Sequence, residues 1–420
     1  MRILIHSMNY FPEPVGIGKY SGEMAAWLGS RNHDVRVICA PPYFPHWQVG
    51  LGGVAQAGDY RNVYRKETVG GLRVQRCPLW VPSRPTGLTR LLHLASFALS
   101  SLVPLLAQAR WKPDVVFTVA PAFFCAPGAL LLVRLCGRRS RSWLHIQDFE
   151  LDAAFELGML RGRLVRRLAE RWERSVLRGF KRVSSISEAM VRRLEEKGVD
   201  QQRTALLPNW VDLEAIRPQG AAERATNPYR QELAIGPEQI VLLYSGSMNK
   251  KQGLDLLAQV IQRLTDRRDL VWLLAGEGPT KAELARACEG LPQVRLLPLQ
   301  PVERLNDWLN AADIHLLPQK AVAADLVLPS KLLGMLASGR PVIATTPEGS
   351  ELAELAAEAG LCVPPEDVEA FTAAARRLVD DPALRAAQGV RARQLAEQRF
   401  GREAVLQRLE HQWLQELELQ

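Results

Sequence analysis

The sequence predicts an α/β protein of two doubly wound domains in tandem, with parallel sheets that face a central cleft. Two observations carry this prediction. Short apolar runs alternate with helical stretches from the first residues, and the same alternation restarts near residue 240. This alternation is typical of βαβ units, whose strands form parallel sheets. A chain of 420 residues is long enough for two such domains, each with its own core.

The first series of strands is predicted at residues 2–8, 34–40, 114–120, 142–146 and 183–187, with a first helix from about Lys19 to Gly29. The second series is predicted at residues 240–246, 271–278, 294–298, 313–318 and 340–345. Between them, residues 206–229 contain three prolines and many small polar residues, which is typical of a linker. Residues from about 381 to 420 have helical spacing and no strand pattern. We therefore place the domain boundary after residue 208.

Charge is divided unevenly between the two halves. Residues 1–210 contain 30 Lys and Arg against 16 Asp and Glu, whereas residues 211–420 contain 23 against 29. Residues 161–182 alone contain nine Lys and Arg and two Glu, and their apolar residues fall on one helical face: Leu164, Leu168, Trp172 and Val176. This pattern predicts a helix on an anionic membrane surface, or a solvated helix whose apolar stripe packs on the sheet. The apolar residues 88–109 predict a half-buried or interfacial helix in preference to a membrane-spanning one.

Cysteine usage and the N-terminus indicate the compartment. The six cysteines are scattered, without CxxC pairs or histidines at metal-ligand spacing, so a disulfide framework and a structural zinc site are not expected. The apolar run at the N-terminus is too short for a secretion signal. We expect a cytoplasmic protein.

Two groups of residues in the first domain could carry chemistry. Gly16 and Gly18 lie between the first strand and the first helix, where backbone N–H groups can contact a phosphate. The alternative is a tight turn without a ligand. His145 ends an apparent strand and Asp148 follows it, which suits acid–base chemistry or recognition of sugar hydroxyls. The alternative is a buried histidine that serves packing.

Two further groups lie in the second domain. Ser247, Lys250 and Lys251 follow its first strand and precede a helix. Lysine there supplies a compact positive charge for a diphosphate, although exposed lysines are usually only solvated. Ser330 and Lys331 begin another helix after a loop. They could bind phosphate, or Ser330 could simply cap the helix.

The order of these motifs resembles the family 4 retaining glycosyltransferases of the GT-B fold, which have two Rossmann-like domains. The resemblance covers nearly the whole chain, through these segments: GIGKY, HIQD, SISEAM, LLPNWVD, GSMNKKQGLDLL, LLAGEGP, ADIHLLPQ, ASGRPVIAT and GLCVPPED. It implies domains at 1–208 for the acceptor and the membrane and at 209–395 for the nucleotide-sugar. It also implies a helix at 396–420 that crosses back to the first domain.

The resemblance further implies the reaction. A sugar, fucose in the relatives that the chain resembles most, would move with retention from a GDP-linked donor to a polyprenyl-diphosphate-linked acceptor in exopolysaccharide synthesis. His145 and Asp148 would be catalytic, and donor-binding residues would be Gly16, Gly18, Ser247, Lys250, Lys251, Asp325, Ser330 and Lys331. No metal or other cofactor is implied. The enzyme would lie on the inner face of the cell membrane, bound to anionic lipid through its first domain.

The sequence departs from the family where the donor binds. Many relatives carry Arg where this chain has Ser247, and two Glu where it has Leu326 and Gly334; Asp325 is the nearest acidic substitute. Two other classes remain open. One is a nucleotide-sugar enzyme of similar fold, such as an epimerase, and the other is a two-lobed sugar-binding protein. Neither accounts for the basic first domain and the missing export signal together.

Overall fold

The structure is a computed structural model that describes residues 1–13, 16–44, 46–50, 60–83, 86–121, 123–137, 139–156, 162–321 and 328–418. The chain divides into two compact units. One unit comprises Met1–Pro208 together with Leu406–Gln420, and the other comprises Asn209–Val405. Each unit contains one sheet with helices packed on it, and the predicted fold class of two Rossmann-like α/β domains is confirmed.

The first unit holds an eight-stranded sheet. Its strands are β1 (Arg2–Ser7), β2 (Asp34–Cys39), β3 (Arg65–Val69), β4 (Leu72–Arg76), β5 (Val115–Ala120), β6 (Arg141–Ile146), β7 (Arg182–Ser185) and β8 (Thr204–Leu206). The order across the sheet is β3-β4-β2-β1-β5-β6-β7-β8, and only the β3–β4 pair is antiparallel. All the other strands therefore end at the same edge of the sheet, where α/β proteins place their ligands.

In the described part of this unit, six α-helices lie between the strands. They are α1 (Gly16–Ser30), α2 (Gly87–Ala107), α3 (Ala126–Cys136), α4 (Glu150–Glu156), α5 (Arg163–Gly179) and α6 (Glu188–Glu196). Every residue of β5 is buried, as expected for a central parallel strand that is covered on both faces.

The second unit holds a six-stranded, wholly parallel sheet. Its strands are β9 (Ile240–Ser245), β10 (Leu270–Ala275), β11 (Val294–Leu297), β12 (Ile314–Leu317), β13 (Val342–Thr345) and β14 (Gly360–Val363), and their order is β11-β10-β9-β12-β13-β14. Its helices are α7 (Ala221–Ala225), α8 (Pro228–Glu232), α9 (Leu254–Arg263), α10 (Lys281–Ala287), α11 (Leu305–Asn310), α12 (Ser330–Ala337), α13 (Glu351–Glu358), α14 (Val368–Asp380) and α15 (Pro382–Leu395). A five-residue π-helical segment, Ala396–Phe400, follows α15.

The last helix, α16 (Arg402–Glu418), ends the described chain and belongs to the first unit from Leu406 onward. Its Trp413 packs edge-on against Phe117 of β5 and Trp143 of β6. Two of its carboxylates form ion pairs with that unit. Glu410 pairs with His33 at 2.6 Å, and Glu416 pairs with Arg182 at 2.5 Å. Because these contacts are largely buried, α16 is an integral layer of the first unit.

Several elements differ from the prediction. The β3–β4 hairpin and the edge strands β8 and β14 were not predicted, because each is short and lies at or near the edge of its sheet. The first helix begins at Gly16 rather than at Lys19, so both predicted phosphate-binding glycines lie in its first turn. Glycine is a poor helix former, which is why the pattern placed these residues in the preceding loop.

Candidate functional site

Two glycine-containing loops at the end of β9 and β10 form the floor of the predicted donor site. The N–H groups of Gly246 and Met248 donate to the carbonyls of Ala275 and Glu277 at 3.0 and 2.8 Å. An added Cβ at Gly276 would lie 1.9 Å from the carbonyl oxygen of Gly246. Only glycine therefore allows the two loops to approach this closely.

Lys331, in the first turn of α12, reaches over this floor. Its ammonium donates to Oε1 of Gln252 at 2.5 Å and lies 4.6 Å from the centre of the Tyr244 ring. Burial lowers the pKa of Lys331 from 10.5 to about 8. Among the described residues, no carboxylate forms an ion pair with it. A partly buried ammonium without an anionic partner is suited to bind a phosphate.

The other predicted residues of this unit that the structure describes are all exposed. Ser247 is exposed, and its Oγ accepts a hydrogen bond from Asn249 at 3.1 Å. Lys250 and Lys251 are exposed in the short 3₁₀-helix Lys250–Gln252, which the Asn249 side chain caps.

Lys250 also lines a cavity of about 440 Å³ between α9 and α10. Ser330 is the exposed first residue of α12, and Pro329, not Ser330, occupies the cap position. Asp325 lies outside the described residues.

A cavity of about 190 Å³ lies at the corresponding edge of the sheet in the first unit. The segments that line it follow β1, β2, β5 and β6, and Arg90 and His93 of α2 complete it. Gly16 and Asp148 are the predicted site residues found there. Because these strands are parallel, the cavity occupies the position at which this class of sheet binds ligands.

His93 lies in an aromatic cluster on the wall of this cavity. Its ring packs against Tyr43 and Trp47, at centroid distances of 4.9 and 5.3 Å. Its Nδ1 donates to the carbonyl oxygen of Trp80 at 2.6 Å, which leaves Nε2 as an acceptor. That Nε2 is buried and has no hydrogen-bond partner among the described residues. Trp47 has a positive φ of 53°, a strained conformation that is often found at functional sites.

His145 is held rigidly within β6 rather than on the cavity wall. It is 4% exposed and stacks on Phe117 at 5.8 Å, and its Nδ1 lies 3.0 Å from the Ser184 hydroxyl. The same hydroxyl accepts a hydrogen bond from Trp143 Nε1 at 2.7 Å. Donation by Ser184 to Nδ1 leaves the ring proton on Nε2. Burial lowers the pKa of His145 to about 3, so the ring is neutral at physiological pH.

A buried carboxyl group in the preceding loop fixes the start of α1. Glu13 accepts hydrogen bonds from the N–H groups of Tyr43 and Phe44, each at 3.0 Å, and from Asn9 at 2.8 Å. An added Cβ at Gly18 would lie 2.6 Å from Cβ of Glu13. Gly18 therefore provides the space in which Glu13 joins the loops after β1 and β2.

Sequence reasoning missed several of these groups, namely Glu13, Arg90, His93, Glu150 and Gln252. Glu150 begins α4. Its Oε2 accepts from the N–H of Phe123, its Oε1 is buried without a partner among the described residues, and burial raises its pKa well above 4.5. A carboxylate two residues after Asp148 was visible in the sequence, but its burial was not. No group of three or more metal-ligating side chains occurs among the described residues.

Comparison with known proteins defines the class. A model of the glycosyl transferase 4-like domain matches residues 15–210, and a model of glycosyl transferases group 1 matches residues 239–381. The chain is 41% identical over 414 residues to WcaI of Escherichia coli, named as a colanic acid biosynthesis glycosyl transferase. The match covers 97% of this chain and 98% of WcaI.

The chain therefore belongs to the family 4 glycosyltransferases of the GT-B fold, in the group that contains WcaI. Two solved structures share its fold. Sucrose-phosphate synthase from Thermosynechococcus elongatus matches with a TM-score of 0.74, 16% identity and full coverage of both chains. Anabaena HepE, in complex with UDP and glucose, matches with a TM-score of 0.68 and 14% identity, covering 98% of this chain and 99% of HepE.

Proposed function

We propose that this glycosyltransferase moves fucose from GDP-fucose to a polyprenyl-diphosphate-linked oligosaccharide, with retention, in the synthesis of a colanic-acid-like exopolysaccharide. The observation that carries the proposal is the buried ammonium of Lys331 above the two glycine loops. The identity to WcaI along almost the whole chain supports the pathway.

The donor diphosphate would lie against Lys331 and the beginning of α12. The ammonium carries no ion pair among the described residues, so a phosphate would neutralise it rather than displace a protein carboxylate. Ser247 Oγ and the exposed Lys250 and Lys251 lie on the adjoining loop. These groups are already in place before the reaction, so they would stabilise the negative charge that develops on the leaving diphosphate.

The chemical step would need no protein nucleophile. The bond between the anomeric carbon and the diphosphate oxygen breaks through an oxocarbenium-like transition state, and the acceptor hydroxyl oxygen bonds to the same face. The proton of the acceptor hydroxyl passes to the departing phosphate oxygen. His145 does not line the acceptor cavity, so its neutral ring would orient a sugar hydroxyl outside that cavity through Nε2 and would not act as a titrating base. The protein would contribute positioning and electrostatic stabilisation, without a metal or other cofactor.

The acceptor would enter the cavity in the first unit. Trp47, which packs against the buried Tyr43, offers an aromatic face on which a sugar ring can stack, and Nε2 of His93 offers a buried acceptor for a hydroxyl. Asp148 and Arg90 lie on the same wall. This combination of apolar faces with a few polar groups is typical of small-ligand sites. The cavity volume of about 190 Å³ is close to that of a single sugar ring.

The lipid part of the acceptor would stay in the membrane, with the first unit docked on its cytoplasmic face. Helix α2 packs on α3, and α3 packs on α5. All three expose large apolar side chains, namely Leu88, Leu92, Leu99 and Val103 of α2, Leu131 and Leu135 of α3, and Leu164, Val165 and Leu168 of α5. The segment Gly87–Arg110 is by length and composition apolar enough to cross a membrane, and 28% of its most apolar window is buried.

The first turns of the basic helix α5 contribute exposed apolar residues to this surface. Its predicted apolar stripe divides in the structure. Val176 is buried and Trp172 packs on Phe123, whereas Leu164 and Leu168 are 70% and 57% exposed. Exposed arginines lie beside the exposed leucines. Apolar residues bordered by arginines suit the headgroup region of an anionic bilayer.

The test is acceptor-dependent release of nucleotide. Purified protein is incubated with GDP-fucose, with and without lipid-linked acceptor, and GDP release and product mass are measured. We expect GDP release only with acceptor, and loss of release in the Lys331→Ala variant. Release that does not require acceptor, or transfer from UDP-sugars in place of GDP-fucose, would contradict the proposal.

A further inference from the structure

A second large cavity lies in the second unit, at the edge of the sheet opposite to the donor loops. It has a volume of about 910 Å³ and is lined by residues at the beginning of three strands, among them Ile240, Asp313 and Pro341. The donor loops follow the other ends of these parallel strands. The cavity is therefore separate from the donor site, and its volume lies in the range of small-molecule sites.

The charge of this cavity is unusual for an acidic half of the chain. Four arginines line it against two carboxylates, those of Glu238 and Asp313. The carboxylate of Asp313 is already committed. It accepts from Arg224 at 2.8 and 3.0 Å, from Arg230 at 2.5 Å and from the N–H of Val241 at 2.8 Å. Of the other arginines, Arg393 pairs with Glu397 at 2.7 Å, and Arg385 donates to the carbonyl oxygens of Leu378 and Val379 at 2.6 and 2.7 Å.

Arg340 is the arginine of this cavity whose hydrogen-bond donors are incompletely satisfied. One of its terminal nitrogens donates to the carbonyl oxygen of Gln219 at 2.9 Å. Its Nε is buried and has no hydrogen-bond partner among the described residues. Burial lowers its pKa, and the nearby Asp313 offsets this only in part. A buried guanidinium with an unused donor is costly unless an anion completes it.

The walls of the cavity suit an organic ligand. The exposed Val390 of α15 and several prolines form its apolar parts. Two glycines bring α15 close to the loop that carries Arg340. Gly339 has a φ of 66°, and an added Cβ at Gly389 would lie 2.4 Å from the Gly339 carbonyl oxygen. The arrangement is thus built into the backbone and does not depend on flexible surface side chains.

From this juxtaposition of Arg340, Arg385 and the apolar face of α15, we propose that the cavity binds the phosphate or diphosphate group of a small soluble molecule. A guanidinium group can bind a phosphate through two parallel N–H···O hydrogen bonds, and the unused Nε of Arg340 could supply one of these donors. The site is independent of the proposed donor and acceptor sites, since none of its lining residues belongs to either.

The test uses inorganic pyrophosphate as the probe, in isothermal titration calorimetry at constant ionic strength. All variants carry Lys331→Met, which weakens the donor site. Val390→Glu places a carboxylate in the cavity, and Val390→Gln is its neutral control. Because Val390 is 59% exposed, neither change should disturb folding. We expect pyrophosphate to bind the Gln variant and to bind the Glu variant at least tenfold more weakly.

Arg340→Gln provides a second comparison, with the exposed Arg268→Gln as the control of equal charge change. We expect pyrophosphate binding to weaken only in the Arg340 variant. Equal affinity of the Glu and Gln variants at Val390 would overturn the proposal. So would the absence of pyrophosphate binding in the Val390→Gln chain. If Arg340→Gln does not fold, the Val390 pair decides alone.

Discussion

Lys331, in the first turn of α12, and Gln252, at the end of the 3₁₀-helix Lys250–Gln252, are joined by a hydrogen bond of 2.5 Å between Nζ and Oε1. This bond holds an ammonium above the Tyr244 ring and beside Gly246. An amide oxygen orients the lysine without neutralising it, so its charge remains for a ligand. The first two predictions follow from this relationship.

Replacing Lys331 with Ala should weaken GDP binding by about 1.5–3 kcal/mol, the cost of a lost hydrogen bond to a charged group. Lys250→Ala should weaken it on the same scale. Calorimetric titration with GDP measures both. Lys281→Ala is the control, because Lys281 lies on α10 and pairs with Glu277. Unchanged GDP affinity in both test variants would remove Lys331 and Lys250 from the diphosphate site.

The depressed pKa of Lys331 predicts a dependence on pH. GDP needs the charged ammonium, so its affinity should fall as the pH rises through about 8, and this fall should be absent in Lys331→Met. Stability should change in the opposite direction. The folded pKa lies below the unfolded value of 10.5, so the folded state is penalised at neutral pH and gains stability relative to Lys331→Met between pH 8 and 10.5.

Urea unfolding of both proteins at pH 7 and pH 10 measures this difference. We expect Lys331→Met to be the more stable protein at pH 7, with the advantage reduced at pH 10. The reverse order at pH 7 would mean that Lys331 is a structural residue.

His145→Ala should lower turnover far more than GDP affinity, because His145 belongs to the first unit and the proposed nucleotide loops belong to the second. Its pKa of about 3 also predicts that His145 causes no inflection in the pH–rate profile between pH 5 and 8. Ser184→Ala removes the hydroxyl that orients the ring and should reduce turnover less. Steady-state kinetics and GDP titration separate the two effects. Transfer at the wild-type rate in His145→Ala would make His145 a packing residue only.

Gly18→Ala should destabilise the protein by about 1–3 kcal/mol, the usual cost of overpacking. The added Cβ would lie 2.6 Å from Glu13 Cβ and 2.8 Å from its Oε2, and would displace a carboxyl group that holds two loops. Denaturant unfolding measures the cost. In the Glu13→Ala background the same change should cost less, because the obstructing atoms beyond Cβ are gone. Equal costs in both backgrounds would mean that Cβ and the backbone of residue 13, which alanine keeps, exclude a side chain at Gly18, and that the Glu13 carboxyl group does not.

The sequence was sufficient to predict both parallel sheets, because buried parallel strands appear as apolar runs such as VVFTVA and LVWLLA. It also named Lys331 and Asp148 as candidate site residues, and the structure has Lys331 beside Gly246 and Asp148 on the lining of the cavity in the first unit. It did not predict Glu13, His93 or Gln252. Their importance arises from burial and from partners distant in sequence, such as the N–H of Tyr43 and the carbonyl of Trp80. The sequence pattern around a polar residue in a helix or loop does not indicate whether the residue is buried or which distant residue it contacts.

Membrane attachment gives the last prediction. In flotation with liposomes, binding should require anionic lipid and fall with added salt, because arginines near the bilayer contribute about 1 kcal/mol each within a Debye length of ~8–10 Å. Replacing Arg163, Arg166, Arg167 and Arg174 of α5 with Gln should weaken it. The matched control replaces four exposed arginines of the second unit with Gln: Arg268, Arg286, Arg377 and Arg391.

The apolar contribution is separable from the charge. Leu99 and Val103 of α2 are 74% and 75% exposed, one helical turn apart, so changing both to Ser should reduce flotation with little cost in stability. Loss of binding in the α5 variant but not in its matched control would identify a local basic surface, since both variants lose the same charge. Equal loss in the two would instead indicate attraction by net charge alone. Equal flotation on neutral lipid would show that the basic residues do not drive membrane binding and that the basic half of the chain serves another purpose.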